Sequence, residues 1–276
     1  MKRIPLFVGT DIGTQGTKSV VCDAEGNIKG EGYSPSSLIY SASGGVWENA
    51  ENILSCAVSS IKEAISRSCA NAEDIAAIGI DSQMSGIMAA DENFNAVAPL
   101  DSWLDERCAP YTDELKNKLG DEAIRQSGGQ FVHSHASRVL RMKNESPDLY
   151  KKTRKFVQPN AFVAGQICNL KADDAFMDYT FLHFNVFSDN PNKKLNEDLL
   201  CKFGISPDKF PKIVSPFEVV GKTGKDFERE TGIHSGTAVI AGCGDTAASA
   251  LGSGITSKGL AYDVAGTASV FTSCTD

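Results

Sequence analysis

Gly9-Thr10-Asp11-Ile12-Gly13-Thr14-Gln15-Gly16-Thr17-Lys18 lies between two apolar runs, Leu6-Phe7-Val8-Gly9 on one side and Ser19-Val20-Val21-Cys22 on the other. Short β-prone runs flanking a glycine-rich segment read as two strands joined by a turn. The glycines at 9, 13 and 16 let the backbone come close to a bound anion, Thr14, Gln15 and Thr17 offer donors, and Lys18 adds a cation. Asp11 in the same turn would repel an anion, so it reads as a holder of Mg²⁺ that bridges to phosphate oxygens. Taken alone, the D-x-G-T pattern is equally a tight hairpin with a capping aspartate.

Working outward, Asp23-Ala24-Glu25-Gly26-Asn27 is a hairpin signal before Ile28-Lys29-Gly30-Glu31-Gly32-Tyr33, so the first forty residues read as a β-meander. Ile53, Leu54, Ala57, Val58, Ile61, Ala64 and Ile65 recur at three- and four-residue steps, which predicts an amphipathic helix over 49–70. A buried strand is expected over 75–81, then a second hairpin from Ile87-Met88-Ala89-Ala90 through Asp91-Glu92-Asn93 back towards Pro99. Helices are expected over 105–119, 137–144 and 160–170, and the polar stretch 171–209, broken by Asn190-Pro191 and Ser206-Pro207, reads as short helices and loops. Strands before, between and after helices imply an α/β fold with a mixed sheet flanked by helices rather than a pure dinucleotide-binding unit.

A second glycine turn stands far along the chain. In Gly242-Cys243-Gly244-Asp245-Thr246-Ala247-Ala248, a short strand at 238–241 gives way to a small-residue helix, with Asp245 at the junction. Aspartate is a favoured helix N-cap, and it is also suited to taking a proton from an attacking hydroxyl at the positive end of a helix that can face a phosphate. Strands at 260–264 and 269–272 enclose Ala265-Gly266-Thr267-Ala268, and this Gly-Thr turn echoes the first. Two such turns and an aspartate together read as a phosphoryl-transfer site.

Composition removes several other classes. A net charge of −8 with four histidines and no basic cluster argues against nucleic acid, whose affinity rests on Lys and Arg. No apolar run approaches the roughly 18 residues of a membrane span. The eight cysteines are scattered without a C-x-x-C pair, so free thiols in a reducing compartment are expected. Met1-Lys2-Arg3-Ile4-Pro5 leads straight into a strand without a secretion signal, and the chain reads as cytoplasmic.

Thr10 to Lys18, Val46-Trp47-Glu48, Gly79-Ile80-Asp81-Ser82-Gln83-Met84, Trp103-Leu104-Asp105-Glu106-Arg107, Gly242-Cys243-Gly244-Asp245 and Gly266-Thr267-Ala268 stand in one order across nearly the whole chain. This series resembles the FGGY family of carbohydrate kinases. The resemblance implies an actin-like, ribonuclease H-like ATPase fold, with sugar held by a first domain and ATP in the cleft before a second. It also implies ATP- and Mg²⁺-dependent phosphorylation of a sugar hydroxyl. By position, Asp245 resembles the catalytic base and Asp11 the metal-associated aspartate. Thr14, Gln15, Thr17 and Lys18 fall in one phosphate loop and Gly266 with Thr267 in the other. Gln83, Met84, Trp103, Asp105 and Asp245 would line the sugar pocket, where a carboxylate and an amide bond hydroxyls while an indole packs on C–H surface. Trp103 and Met84 are equally at home in a core, and Arg107 in a structural ion pair.

Glycerol kinases carry Arg-Glu after the glutamine where this chain has Met84-Ser85; xylulose kinases carry Gln-Met-His, which Gln83-Met84 matches and Ser85 does not, so a ketopentose such as xylulose leads while another pentulose, a hexulose or an alditol stays open. The family pattern divides the sequence into a sugar-binding domain over 1–254 and, over 255–276, the opening hairpin of a nucleotide-binding domain, and for the chain as given weak sugar binding and little kinase activity are expected. A small-molecule sugar is the expected partner, nucleic acid and membrane are not, and a homodimer stays open. Two other classes share the phosphate turns: an actin-like or chaperone-like ATPase without a sugar, and a non-catalytic sugar-binding fragment. Gln83-Met84 and Trp103-x-Asp105 separate a sugar pocket from the former.

Overall fold

Alternating burial builds the central sheet. In β1 (Leu6–Ile12) Val8, Thr10 and Ile12 are buried, while Phe7, Gly9 and Asp11 on the opposite face are only partly covered. β2 (Gly16–Asp23) repeats the pattern with Thr17, Ser19 and Val21 inside, and β3 (Ile28–Pro35) completes the antiparallel meander. The computed structural model describes residues 5–132, 134–265 and 269–275. Its six-stranded sheet runs, edge to edge, Val219–Lys222, Ala238–Ile240, Ile75–Ser82, β1, β2, β3. Ile75–Ser82 is parallel to both β1 and Ala238–Ile240, and the other pairings are antiparallel, so the sheet is mixed as expected. The β1 register sets Asp11 opposite Lys18 on one side and Asp81 on the other.

One face of the sheet is sealed by α1 (Ala50–Ser68). The Asn49 side chain accepts from the backbone N–H groups of Glu51 and Asn52, which starts the helix, and Ile53, Ala57, Ile61 and Ala64 at helical spacing are buried against Val8, Ile12 and Val21. Each such aliphatic side chain removed from water contributes about 1.5–3 kcal/mol. Thr10, Ser19 and Ser60 link their hydroxyls through the same layer, 3.0 and 2.8 Å apart, so these three buried hydroxyls are paired, whereas the buried Thr17 Oγ1 has no hydrogen-bond partner among the described residues. The helix Pro159–Cys168 lies beside α1 and is buried along most of its length. A second apolar cluster, with Leu115, Val139, Leu140, Phe156, Phe187 and Leu200, gathers α2 (Ala109–Ser127) and α3 (His135–Glu145) around the insertion between the sheet strands.

Two expectations change. The turn at 91–95 forms, but its return reduces to a single bridge between Ala90 and Ala96, and Met88–Ala90 pairs instead with Lys155–Val157. A distant strand therefore takes the ladder bonds expected of a local hairpin. The helix expected from 105 begins at Ala109, because Arg107 donates its backbone N–H to the Asp105 carboxylate and holds 105–107 in a turn. Ala261–Ala265 and Ser269–Ser273 form a separate antiparallel hairpin, and the expected turn residues Gly266 and Thr267 lie outside the described residues. All eight cysteines are free, and among the described residues no helix is long and apolar enough to cross a membrane.

Candidate active site

Parallel neighbours end together, so Asp11 near the end of β1 and Asp81 near the end of Ile75–Ser82 sit side by side on the less covered face. The ladder continues past the strand ends through a bridge between Ser82 and Gly244, which brings Asp245 to the same edge. Ligands of open α/β sheets gather at the carboxyl ends of parallel strands. Burial, the Asp11 charge, a hydrogen bond with Asp11 and the charge of Asp245 together raise the Asp81 pKa well above the carboxylate range. Burial likewise raises the Asp245 pKa, with the Asp11 charge adding to it and hydrogen bonds from Thr246 opposing it. A carboxylate made more basic in this way is better suited to accept a proton near neutral pH.

Asp11 and Asp81 lie side by side, and the hydrogen bond between them adds to the upward shift of the Asp81 pKa. Among the described residues no three acidic, histidine or cysteine side chains converge into a metal site. The donor set fits Mg²⁺, which is commonly held by one or two carboxylates with its remaining positions filled by water and phosphate. Asp81 is a functional candidate that motif reading passed over. Its signal was available, since an aspartate near the end of a second buried strand takes the same facing as Asp11.

The loop carrying Asp245 is held from several sides. Gly242 has φ 68°, and a Cβ there would lie 1.8 Å from the Ile80 carbonyl oxygen, so only glycine fits. Asn160 donates to the Ala241 carbonyl at 3.1 Å, and the Gly242 N–H donates to the Pro216 carbonyl at 3.0 Å. The Gly244 N–H donates to the Thr180 hydroxyl at 2.9 Å, and that hydroxyl donates to the Asp178 carboxylate at 2.6 Å. Asp178 is fully buried, and its pKa is pushed up to about 6 by that burial against the pull of the Thr180 hydrogen bonds. Gly244 is the N-cap of the helix Asp245–Gly252, so Asp245 occupies its first turn and accepts from the Thr246 N–H at 2.6 Å. The N-cap reading of Asp245 is thus corrected, since Gly244 is the cap and brings no side-chain cap bond, while Asp245 in the first turn lines a cavity.

That cavity, of about 260 Å³, is lined by Gln83, Met84, Ser85, Trp103 and Phe184 together with Asp245. Larger clefts of about 870 and 710 Å³ cross the polar surface at Lys193 and Asp198 and at Lys151 and Arg154, and neither is lined by Asp11, Asp81 or Asp245. The smaller cavity is the one that Asp245 lines. Met84 packs against Gly244, and the Trp103 indole N–H donates to the Thr14 hydroxyl at 2.8 Å. Thr14 in turn donates to Gln83 Oε1 at 3.4 Å, so the structure turns it towards Gln83 and Trp103.

Other expected residues are dispersed. Gln15 is exposed and its carbonyl accepts from the Tyr33 hydroxyl at 3.1 Å, while Lys18 is exposed across from Asp11. Thr17 is fully buried on the α1 face, so its hydroxyl does not reach the loop mouth, and that reading is corrected by strand parity. Asp105 is corrected as well: it is not among the residues lining the cavity. Its oxygens receive Arg107 and the Val46 N–H, and these bonds outweigh a large burial effect to lower its pKa. It braces the Trp103 loop as a structural ion pair. Glu48, which accepts from Gln83 Nε2 at 2.8 Å, was quoted in a motif and not assigned a role.

Comparison with known proteins gives these positions a context. The chain is 26% identical over 267 residues to xylulose kinase of Bacillus subtilis, covering 96% of this chain and 53% of that protein. It is 23% identical to gluconokinase of the same organism, covering 92% and 48%. Its fold superposes on Plasmodium falciparum glycerol kinase with ADP at a TM-score of 0.87 and 18% identity, over 97% of this chain and 54% of that one. The match to a xylulose kinase from Rhodospirillum rubrum has a TM-score of 0.86 and 18% identity over 94% and 52%. The chain thus spans about half the length of the relatives it matches, and its architecture is the actin-like ATPase fold with a mixed sheet flanked by helices. With the N-terminal domain profile of the FGGY family of carbohydrate kinases matching residues 6–252, the chain belongs to that family.

Proposed function

We propose that this chain supplies the sugar site and catalytic base of an ATP-dependent carbohydrate kinase. The observation that carries the reading is Asp245, a carboxylate with a raised pKa, facing one small cavity with Gln83, Met84 and Trp103. A sugar hydroxyl seated there would lose its proton to Asp245 as its oxygen attacks the γ-phosphorus of ATP, whose bond to the β-phosphate oxygen breaks to release ADP. Asp11 and Asp81 would hold Mg²⁺, which neutralises phosphate charge when bound. Gln15 and Lys18 stand exposed at the first turn and are read as the phosphate side; Gly266 and Thr267, read from the sequence as the second phosphate turn, lie outside the described residues. Residues 1–254 are read as the sugar-binding domain and 255–276 as the start of a nucleotide-binding one, a division supported by the separate sheet of the hairpin.

A ketopentose such as xylulose is the favoured substrate, because Met84 and Ser85 offer no charged pair for a smaller triol and relatives named xylulose kinase match nearly the whole chain. D-xylulose, D-ribulose, D-gluconate and glycerol, compared by calorimetric binding and by ATP-dependent phosphorylation, test the reading. Strongest binding and turnover with a ketopentose is expected. ATP hydrolysis indifferent to every one of these compounds would overturn it in favour of an ATPase without a sugar substrate.

A further inference from the structure

Glu48 is a carboxylate buried to 1% exposure behind Gln83, and it does not line the cavity itself. It ends the strand Val46–Glu48, whose partner strand Leu100–Asp101 leads directly into the Trp103 loop. Its Oε1 accepts from Gln83 Nε2 at 2.8 Å, and its Oε2 is buried with no hydrogen-bond partner. From Gln83 the bonding continues through Thr14 to the Trp103 indole. Four side chains from four separate segments thus form one connected line, and two of them, Gln83 and Trp103, face the cavity.

A primary amide has two chemically opposite ends, and burial does not choose between them. A carboxylate only accepts, so Glu48 draws the Gln83 NH₂ towards itself and leaves Oε1 turned to Thr14 and the cavity side. We infer that Glu48 is a positioning residue, which fixes the Gln83 amide so that its carbonyl is offered as an acceptor to a hydroxyl of the bound polyol. The inference rests on the sugar-kinase reading and deepens it. Burial pushes Glu48 up to about 7, with the Gln83 hydrogen bond pulling the other way, and in either protonation state an oxygen of Glu48 remains to accept from the Gln83 NH₂.

The test uses D-xylulose as probe, with dissociation constants from calorimetry and folding checked by thermal melts. Glu48→Leu removes the acceptor at similar bulk, and Glu48→Gln keeps a carbonyl able to accept from Gln83. Weakening of roughly five- to twentyfold is expected in Glu48→Leu, with Glu48→Gln within about threefold of the native chain. Gln83→Ala should weaken binding similarly, and Glu48→Leu with Gln83→Ala together should be no worse than Gln83→Ala alone, because the two act as one unit. Without ligand, the Trp103 indole N–H resonance, identified against Trp103→Phe, should shift in Glu48→Leu and stay in place in Glu48→Gln. Additive losses, equal behaviour of Leu and Gln at 48, or an unmoved indole resonance would each overturn the inference. A native chain that binds no polyol while the indole shifts as described sinks the sugar reading and the polyol role of Gln83, and leaves the hydrogen-bonded line itself standing.

Discussion

Asp81 shows how a neighbour changes a residue's chemistry. In the unfolded chain it titrates near the usual aspartate value of about 3.9, whereas in the fold burial and Asp11 keep it protonated well above that. The folded state therefore binds more protons than the unfolded one, and the contribution of Asp81 to stability is fully present below the unfolded value and lost as pH rises towards the folded one. Asp81→Asn keeps a neutral group in place, so it should raise the melting temperature at pH 8 relative to the native chain and have little effect at pH 4. Thermal melts across that range check the sign, and a larger gain at the acid end would refute it. No local pattern could have revealed this, because the Asp11 to Asp81 pairing exists only through a register between strands about seventy residues apart. The same blindness explains Thr17 and Asp105. Thr17 sits in a donor-rich turn, yet strand parity points it into the α1 layer, and Asp105 has a chemically apt side chain that Arg107 has already taken.

At the scale of elements, the loop from Ala238–Ile240 into Asp245–Gly252 decides where the base stands. Thr180 is its main outside support, giving the Gly244 N–H an acceptor one residue before Asp245. Thr180→Val leaves that donor without its partner, a loss of about 1–3 kcal/mol when buried. Turnover should fall roughly tenfold to a hundredfold with sugar affinity nearly unchanged, since the base moves while Gln83 and Trp103 stay; kcat measured beside the sugar Kd tests it. An equal loss in both would make Thr180 a merely structural support. Elements with strong periodicity were legible before any coordinates: the meander, α1 and the buried strand at 75 stand where alternation and three-to-four spacing put them. The return strand after Ala90 was not, because Lys155–Val157 offers the better partner from far along the chain.

Across the whole molecule, the sheet divides labour between its faces. α1 and Pro159–Cys168 seal one side with aliphatic packing, while the other carries Asp11 and Asp81 and opens to the cavity edge. Ile61 of α1, fully buried against the sheet, should therefore influence stability without influencing chemistry. Ile61→Val is expected to cost about 0.5–1.5 kcal/mol in denaturant unfolding. The sugar Kd should hold within about twofold, and a larger change would show that the two faces are energetically joined.

Everything proposed about function converges on Asp245 as the group that takes the proton. The most direct measurement is D-xylulose-dependent ADP release by the intact protein, native and Asp245→Asn, with the sugar Kd determined for each. The account predicts that Asn lowers kcat by about 10²–10⁴ while the Kd stays within a few-fold, as removal of a general base requires. Turnover at the native rate in Asp245→Asn, with the sugar still bound, would contradict it.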